Sequence, residues 1–507
     1  MNKFSKFVQI SVFAGIWMIA IITNILIFLL IYTKQASPYF LIPSLALLGI
    51  VLYDSLQKRH TVRRNYPLIG RLRYFLESYR PELRQYFFEG ELDGKPFNRR
   101  QRSIVYQRSK NVKQTISFGM QDDPGRIGYE WAAHSVYPKK ADINKIVVGN
   151  KACQQKYNAS ILNIGAMSYG ALSKTAIASL NKGALLGGFA HNTGEGGISS
   201  HHLQGGDLIW QIGTGYFGCR NEQGFFDDQL FSEKSKLPQV KMIEIKLSQG
   251  AKPGHGGLLP AKKNTPEIAE IRNIQPFTTV HSPSAHTAFN DAESLMHFIQ
   301  KVRVLSNYKP VGFKICIGRK EEFEDIANAM IKTGICPDFI TIDGAEGGTG
   351  AAPLEFIDHM GMALTDALSF VNNTLARLQL RDDIKIFASG KIITAFDIAK
   401  TIALGADACY SARGMMFSLG CIQALQCDSG KCPVGIATQK TSLYKGLDVT
   451  DKSVRVANFH TNTLKALSEF IGACGFANCK EINAASFFKR TSLNSFSNFK
   501  ELYQLNA

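Results

Sequence analysis

Acidic side chains are scarce in this chain: 41 Asp and Glu stand against 58 Lys and Arg, for a formal net charge of +17. None precedes Asp54. Such an excess would suit a nucleic-acid binder, but no recognised RNA- or DNA-binding motif accompanies it, and its placement excludes that class. Between Asp54 and Lys113, 15 Lys and Arg face six Asp and Glu, so +9 of the excess sits in one stretch. Charged residues make up only 20 % and hydrophobic ones 45 %, which excludes a disordered polyelectrolyte and leaves a globular chain with a large core. No internal repeat of roughly 20–50 residues stands out, so a solenoid is excluded as well. At 507 residues the chain can build one large domain with attachments, or two to three ordinary ones.

Charge is missing altogether from the 26 residues between Phe7 and Tyr32. At about 1.5 Å per residue, that run outspans a hydrocarbon core of roughly 30 Å. A second uncharged run, Gln35 to Tyr53, is shorter but sufficient, and the "TKQASP" between them predicts a helical hairpin. The first run is too long for a cleaved signal peptide and no small-residue cleavage site follows it. Lys3 and Lys6 precede it, and "QKRHTVRR" follows the second run. The positive-inside rule then puts both flanks in the cytoplasm. The expectation is a multi-pass hairpin in the inner membrane, a catalytic domain in the cytoplasm, and a basic collar against anionic headgroups.

A reducing compartment disfavours structural disulfides, which matters for "CIQALQCDSGKCPVG" (421–435). Cys421, Cys427 and Cys432 are clustered thiols of the kind that bind metal or do redox work. Proline directly after the last thiol is also found in ferredoxin cluster-binding runs. Zinc with a fourth ligand such as Asp428 or a histidine, and no metal at all, stay open on the spacing alone. The other seven of the ten cysteines, Cys474 and Cys479 included, read as small buried apolar residues.

From residue 159 short apolar runs alternate with helix-length amphipathic segments. The predicted strands are 161–167, 189–194, 242–247, 277–282, 311–318, 338–344, 384–390 and 408–414. Eight strands alternating with helices predict an α/β fold with parallel strands, closed into a (β/α)8 barrel of the TIM type; an open doubly wound sheet is the alternative. The stretch 198–240 reads as an elaborated loop. The predicted organisation is a transmembrane hairpin (1–56), a basic juxtamembrane connector (57–114), the barrel (115–440) and a helical C-terminal extension (441–507).

Chemistry in such barrels gathers where strands end at the C-terminal face. "DGAEGGTG" (343–350), "SGK" (389–391) and "ARG" (412–414) end the last three predicted strands, and glycine turns there let backbone N–H groups approach a phosphate. "GTGYFG" (213–218) matches a dinucleotide fingerprint but no helix start follows it, so it is discounted. Lys246 and Lys314 interrupt apolar strands, and a lysine inside a barrel needs a partner. A reduced flavin ring is one candidate; Glu244 and Asp343 are structural ones. Gln249, Lys252 and Arg272 lie on the loop after Lys246 and suit a dicarboxylate or oxo acid.

"GAMSYGALS", "NTGEGG", "IEIKLSQGAKPG", "TPEIAEIR", "DGAEGGTGA" and "C-x5-C-x4-C-PVGIATQ" occur here in the order found in the FMN-binding synthase domain of glutamate synthases. Over roughly residues 115–440 the chain resembles that family, and is most similar to its membrane-anchored, stand-alone large-subunit-like members. The resemblance implies FMN lined by Met167, Ser168, Gln211, Lys314, Gly347, Gly348, Thr349, Gly390, Lys391, Arg413 and Gly414. It implies a three-iron, four-sulfur (3Fe–4S) cluster on Cys421, Cys427 and Cys432, and a substrate face of Glu195, Lys246, Gln249, Lys252 and Arg272. The implied reaction takes hydride from reduced FMN to the imine of a 2-oxo acid, making glutamate from 2-oxoglutarate and ammonia.

Two positions depart from the family: Leu258 replaces a glutamine and His255 a glutamate in "GHGGLLP". The family's "SPPPHHD" is "HSPSAHTAFND" here. No glutaminase domain or nicotinamide-binding unit is recognised. The implied partners are therefore ammonia or an amine from solution or a separate glutaminase, and a separate electron donor such as ferredoxin or a reductase subunit.

Overall fold

The computed structural model describes residues 3–112 and 115–505, with side chains from Val12 onward. Lys3 and Lys6 have side chains outside that range, as do Lys113 and Gln114, where the predicted connector ends. The chain forms two compact units, residues 1–94 and 95–507.

In the first unit, α1 (Lys3–Tyr32) and α2 (Leu41–Leu56) form an antiparallel pair. Both are long and apolar enough to cross a membrane, over Val12–Tyr32 and Pro38–Leu56. The second helix starts later than its uncharged run because Ser37 caps a turn of 3-10 helix at Pro38–Phe40. Polar side chains clip the pair together, as small polar groups do between apolar helices. Ser44 Oγ donates to Asn24 Oδ1 at 3.0 Å, and Trp17 Nε1 donates to Ser55 Oγ at 3.1 Å. α3 (Ile69–Leu83) follows a short helix at Thr61–Asn65.

The second unit opens with α4 (Arg99–Ser109), started by a capping box on Asn98. Arg102 and Arg108 of the basic stretch point inward here and are buried. Eight parallel strands then close a barrel in chain order. They are β1 (Leu162–Ile164), β2 (His191–Asn192), β3 (Leu208–Ile212), β4 (Val240–Lys246), β5 (Val311–Ile315), β6 (Phe339–Asp343), β7 (Lys385–Ser389) and β8 (Ala408–Ser411). Seven match predicted strands. The eighth does not: β3 lies inside the stretch 198–240 that reads as a loop, and all five of its residues are buried. The predicted strand 277–282 is largely exposed; Val280–His281 pairs antiparallel with Leu258–Leu259 outside the barrel.

Helices α5 (Lys174–Gly187), α6 (Asp228–Ser235), α7 (Ala292–Leu305), α8 (Lys320–Thr333), α9 (Leu364–Arg377), α10 (Ala395–Ala403) and α11 (Arg413–Ser418) follow successive strands, except after β2. Their starts are set by side-chain caps, Ser173 for α5, Asp291 for α7 and Thr394 for α10, each accepting a first-turn N–H. The long α12 (Val449–Ala473) packs beside α5, and Phe487–Arg490 and Phe496–Asn498 form a small antiparallel sheet with Glu130–Ala132.

Alternation along the strands decides what enters the barrel interior. Ile209, Met242, Phe339, Phe387, Ala408 and Tyr410 form an apolar layer sealed below by Val148, Tyr157 and Ala159. Two residues further along β3, β4 and β6 the same face carries Gln211, Glu244 and Thr341. Two more along β4 and β6 it carries Lys246 and Asp343. The barrel is thus greasy at one end and ionic at the other.

Candidate active site

The ionic end is a connected set of buried polar groups. Glu244 is fully buried and accepts three hydrogen bonds, from Asn192 Nδ2 (2.8 Å), Gln211 Nε2 (2.6 Å) and Thr341 Oγ1 (2.6 Å). Lys314 Nζ lies 3.2 Å from Asp343 Oδ2. Burial favours the neutral amine, but Asp343 and Glu244 outweigh it and hold Lys314 above the ordinary lysine range. Asp343 is itself fixed by Gly250 N–H (3.0 Å) and Ser389 Oγ (2.7 Å).

Lys246 pairs with Glu195, Nζ to Oε2 at 2.8 Å, rather than with Glu244 of its own strand. The reason is direction: Lys246 ends β4 at the rim, where the loop after β2 brings Glu195. Burial pushes the Glu195 carboxyl up, yet Lys246, Lys252 and Arg272 together hold it below its usual value. Lys252 Nζ donates to Gly256 O at 3.3 Å, and burial depresses its pKa. Arg272 Nη2 donates to Tyr169 O at 2.9 Å and its guanidinium lies 4.9 Å from the Phe217 ring centre. Its Nε is buried without a partner among the described residues, and burial lowers its pKa to about 10. Gln249 is half-buried on the same loop. Glycine makes the crowding possible. Gly194 has φ +65°, and a Cβ there would sit 2.7 Å from Ser168 N and 2.9 Å from the Met167 carbonyl carbon.

Two residues that sequence reading missed brace Lys246. Tyr216 OH accepts the N–H groups of Thr287 and Ala288, both at 3.1 Å, and meets His286 Nδ1 at 3.1 Å. His286 Nε2 bonds the Lys246 carbonyl at 2.9 Å. A carbonyl only accepts, so Nε2 carries the proton and Nδ1 accepts from tyrosine. Burial lowers the His286 pKa to about 4, keeping the ring neutral. Asn192 and Thr341 were missed as well, although Asn192 opens the quoted "NTGEGG". The pair His286–Tyr216 spans 70 positions and leaves no local spacing to read.

Around the rim, the turns after β6, β7 and β8 place Gly347, Gly348, Thr349, Gly390, Lys391 and Arg413. Arg413 Nη2 donates to Glu346 O at 2.6 Å, its guanidinium lies 4.7 Å from the Phe97 ring centre, and burial lowers its pKa to about 10. A Cβ on Gly348 would sit 2.8 Å from Arg413 Nη1. Lys391 adopts φ +50°, an uncommon backbone state for a side-chain-bearing residue. Burial, then the nearby Arg413, depresses its pKa. Neither cation forms a salt bridge among the described residues, and two mutually repelling, half-buried cations suit a dianion such as a phosphate. Thr349 is exposed, while Gly414 is buried, and a Cβ on it would meet Ser411 and Phe459. The two cations and the glycine turns fit the phosphate end of a group such as FMN.

The three clustered cysteines are free thiols. They lie within electrostatic reach of one another: burial, with Cys427 and Cys432, pushes Cys421 up to about 12, and burial, with Cys432, raises Cys427. Lys263 Nζ donates to Cys427 O at 3.1 Å, and Tyr106 OH to Cys421 O at 2.5 Å. A Cβ on Gly350 would sit 3.7 Å from Cys427, so the glycine loop of β6 abuts the thiol loop. Donor chemistry fits an iron–sulfur cluster. Among the described residues, however, no group of three or more His, Cys, Asp or Glu side chains converges as a metal site.

A family model described as a conserved region in glutamate synthase matches residues 131–477. The glutamate synthase large subunit-like protein YerD of Bacillus subtilis (strain 168) is 38 % identical over 478 residues, covering 86 % of this chain and 90 % of its own. The archaeal glutamate synthase (NADPH) of Methanocaldococcus jannaschii is 36 % identical over 358 residues, covering 69 % of this chain and 66 % of its own. The ferredoxin-dependent glutamate synthase of Pyropia yezoensis is 31 % identical over 360 residues, of which this chain spans only 22 % of the length. Fold and comparisons define the class, a glutamate synthase-type oxidoreductase. The chain belongs to the glutamate synthase family.

Proposed function

We propose that this chain is a membrane-tethered, FMN- and iron–sulfur-dependent oxidoreductase that reduces the imine of a 2-oxo acid, converting 2-oxoglutarate and ammonia to glutamate. The observation that supports it is the sorting of charge at the barrel mouth. Among the described residues, Lys391 and Arg413 stand half-buried and without salt bridges beside glycine turns on one side, and Lys246, Lys252 and Arg272 surround Glu195 on the other. Bound FMN would supply hydride, with electrons entering through a 3Fe–4S cluster.

The chain's own residues position and charge the site. Lys391, Arg413 and the backbone of Gly347 and Gly348 would hold the phosphate. Met167, Ser168, Gln211, Thr349 and Gly390 would border the rest of the cofactor, with Gly414 behind them. Lys314, kept protonated by Asp343, places a fixed cation at the barrel axis for the anionic edge of the ring. Lys252 and Arg272 would bind the carboxylates of the acid, with Gln249 beside them. Lys246 Nζ, ion-paired to Glu195, holds a proton available to the substrate nitrogen. Cys421, Cys427 and Cys432 would hold the cluster.

The donor is a separate protein, a ferredoxin or a reductase subunit, and the amine comes as ammonia or from a separate glutaminase. α1 and α2 anchor the chain in the inner membrane with the barrel in the cytoplasm; nucleic acid has no part. A second reading, a flavin and iron–sulfur oxidoreductase for a different keto acid or amine, or an electron-transfer subunit, rests on Leu258, which is exposed where the family has glutamine.

Absorbance and EPR spectra of anaerobically purified protein test the cofactors: flavin bands and a cluster signal are expected, and a colourless protein refutes the proposal. Reduced ferredoxin, ammonia and 2-oxoglutarate then test the reaction. Glutamate formation is expected. Flavin turnover with another oxo acid alone would favour the second reading.

A further inference from the structure

The N-terminal unit carries an apolar stripe that the anchor alone does not explain. On α3, Ile69, Leu72, Phe75, Leu76, Tyr79 and Leu83 are each between 38 % and 57 % exposed. Their spacing of three and four places them on one face of the helix, about 120° wide at roughly 3.6 residues per turn. Beyond it, in the turn that ends the helix, Tyr86, Phe87 and Phe88 are 58 %, 76 % and 78 % exposed. The opposite face is occupied. A Cβ on Gly70 would meet Val62 O at 2.8 Å, and Tyr74 packs under Arg63 at 4.7 Å and edge-on to His60 at 5.1 Å.

The orientation of this helix is locked to the end of α2. Asp54 is fully buried and accepts Arg71 through Nε at 2.7 Å and Nη2 at 2.8 Å, and Leu68 N–H at 3.1 Å. A bidentate clamp plus a backbone bond sets one exit angle for the chain. Arg73 and Arg80 border the stripe and are exposed.

We propose that α3 and the turn to Phe88 lie in the plane of an anionic bilayer surface, with Phe75, Tyr79 and their neighbours sunk at headgroup level and Arg73 and Arg80 on lipid phosphate. The inference rests on the membrane reading of α1 and α2, with which the stripe is continuous through the Asp54 clamp. An aromatic stripe bordered by arginines is the composition of helices that lie on membranes rather than across them.

The test uses the full chain in vesicles of phosphatidylcholine with phosphatidylglycerol, carrying Phe75→Trp in a Trp17→Phe background. The signal of the introduced indole is its difference from that background. Lipids brominated near the headgroup are expected to quench it more than lipids brominated near the chain ends. A control substitution on the occupied face, Tyr74→Trp, should be quenched weakly. Arg73→Gln and Arg80→Gln should each lower the quenched-to-unquenched ratio roughly fivefold. Retention in the vesicles after alkaline washing reports on α1 and α2 alone. If the Phe75→Trp chain is retained but its introduced indole is unquenched at every bromine depth, the proposal is overturned and the stripe belongs to a protein partner. If the chain washes off, the membrane reading itself fails.

Discussion

Removing one cation from the barrel axis, Lys314→Met, should unbalance the whole ionic end. Lys314 lies 3.2 Å from Asp343, and the two side chains are 10 % and 7 % exposed. Its field also reaches Glu244, which is fully buried and, among the described residues, accepts hydrogen bonds from neutral donors. Breaking a buried pair by deleting one partner costs about 3–5 kcal/mol, because the other charge stays buried. At about 2–4 °C per kcal/mol, and toward the lower value for a domain this large, the melting temperature should fall by roughly 6–15 °C. Methionine keeps the length of the lysine stem, so lost packing contributes little. The double variant Lys314→Met/Asp343→Asn should regain about half of the loss, since the stranded charge is gone, the amide oxygen still accepts from Gly250 N–H, and the amide NH2 can donate to Ser389 Oγ. Thermal unfolding of the full chain followed by far-UV circular dichroism reads both values. A loss under about 1 kcal/mol, or a double variant no more stable than the single, would refute this charge accounting.

Acid should loosen the fold through its buried histidines. His286 has a pKa lowered to about 4, and His191 and His460 to about 3, all by burial. Folded-state values below the unfolded one give stability that is full above roughly pH 6.5 and is lost as pH falls toward 4 and then 3. Each contributes up to about 1.4 kcal/mol per pH unit there, and His286→Phe should flatten the slope measured by urea unfolding between about pH 6.5 and 4. Gly194→Ala should strain a φ of +65° and drive Cβ onto the Ser168 amide, leaving a folded barrel with weakened flavin retention after gel filtration. Arg413→Ala should weaken FMN binding by tenfold or more, measured on protein still folded at the assay temperature because its contacts with Glu346 O and Phe97 are lost too; an unchanged Kd would remove Arg413 from the phosphate site. Cys427→Ser should abolish tightly bound iron, and undiminished iron content would remove that thiol from the cluster.

Much of this architecture could be read in advance, for physical reasons that also explain the failures. Strands of a closed parallel barrel are buried on both faces and read as short apolar runs without alternation. "MIEIKL", "VGFKICIG" and "DFITIDG" stood out because β-branched residues surround a charge, and the charge proved to face the axis. β3 escaped because "LIWQI" runs directly into a glycine-rich turn that looked like loop. "FTTVHS" misled because its threonines and valine favour extended backbone anywhere, and an exposed hairpin satisfies them as well as a barrel does. Lys246 and Lys314 were legible as cations needing partners. Their actual partners were decided by which loop overhangs which strand end, and the Tyr216–His286 brace by a contact across 70 positions, neither of which one-dimensional spacing records.

The sealed floor beneath the apolar layer has a kinetic consequence. With Val148, Tyr157 and Ala159 stoppering one end, the reaction proposed for this frame would be served from the opposite, ionic rim alone. The oxo acid and its amino-acid product would then contend for the same cations, and accumulated product should inhibit competitively against the oxo acid.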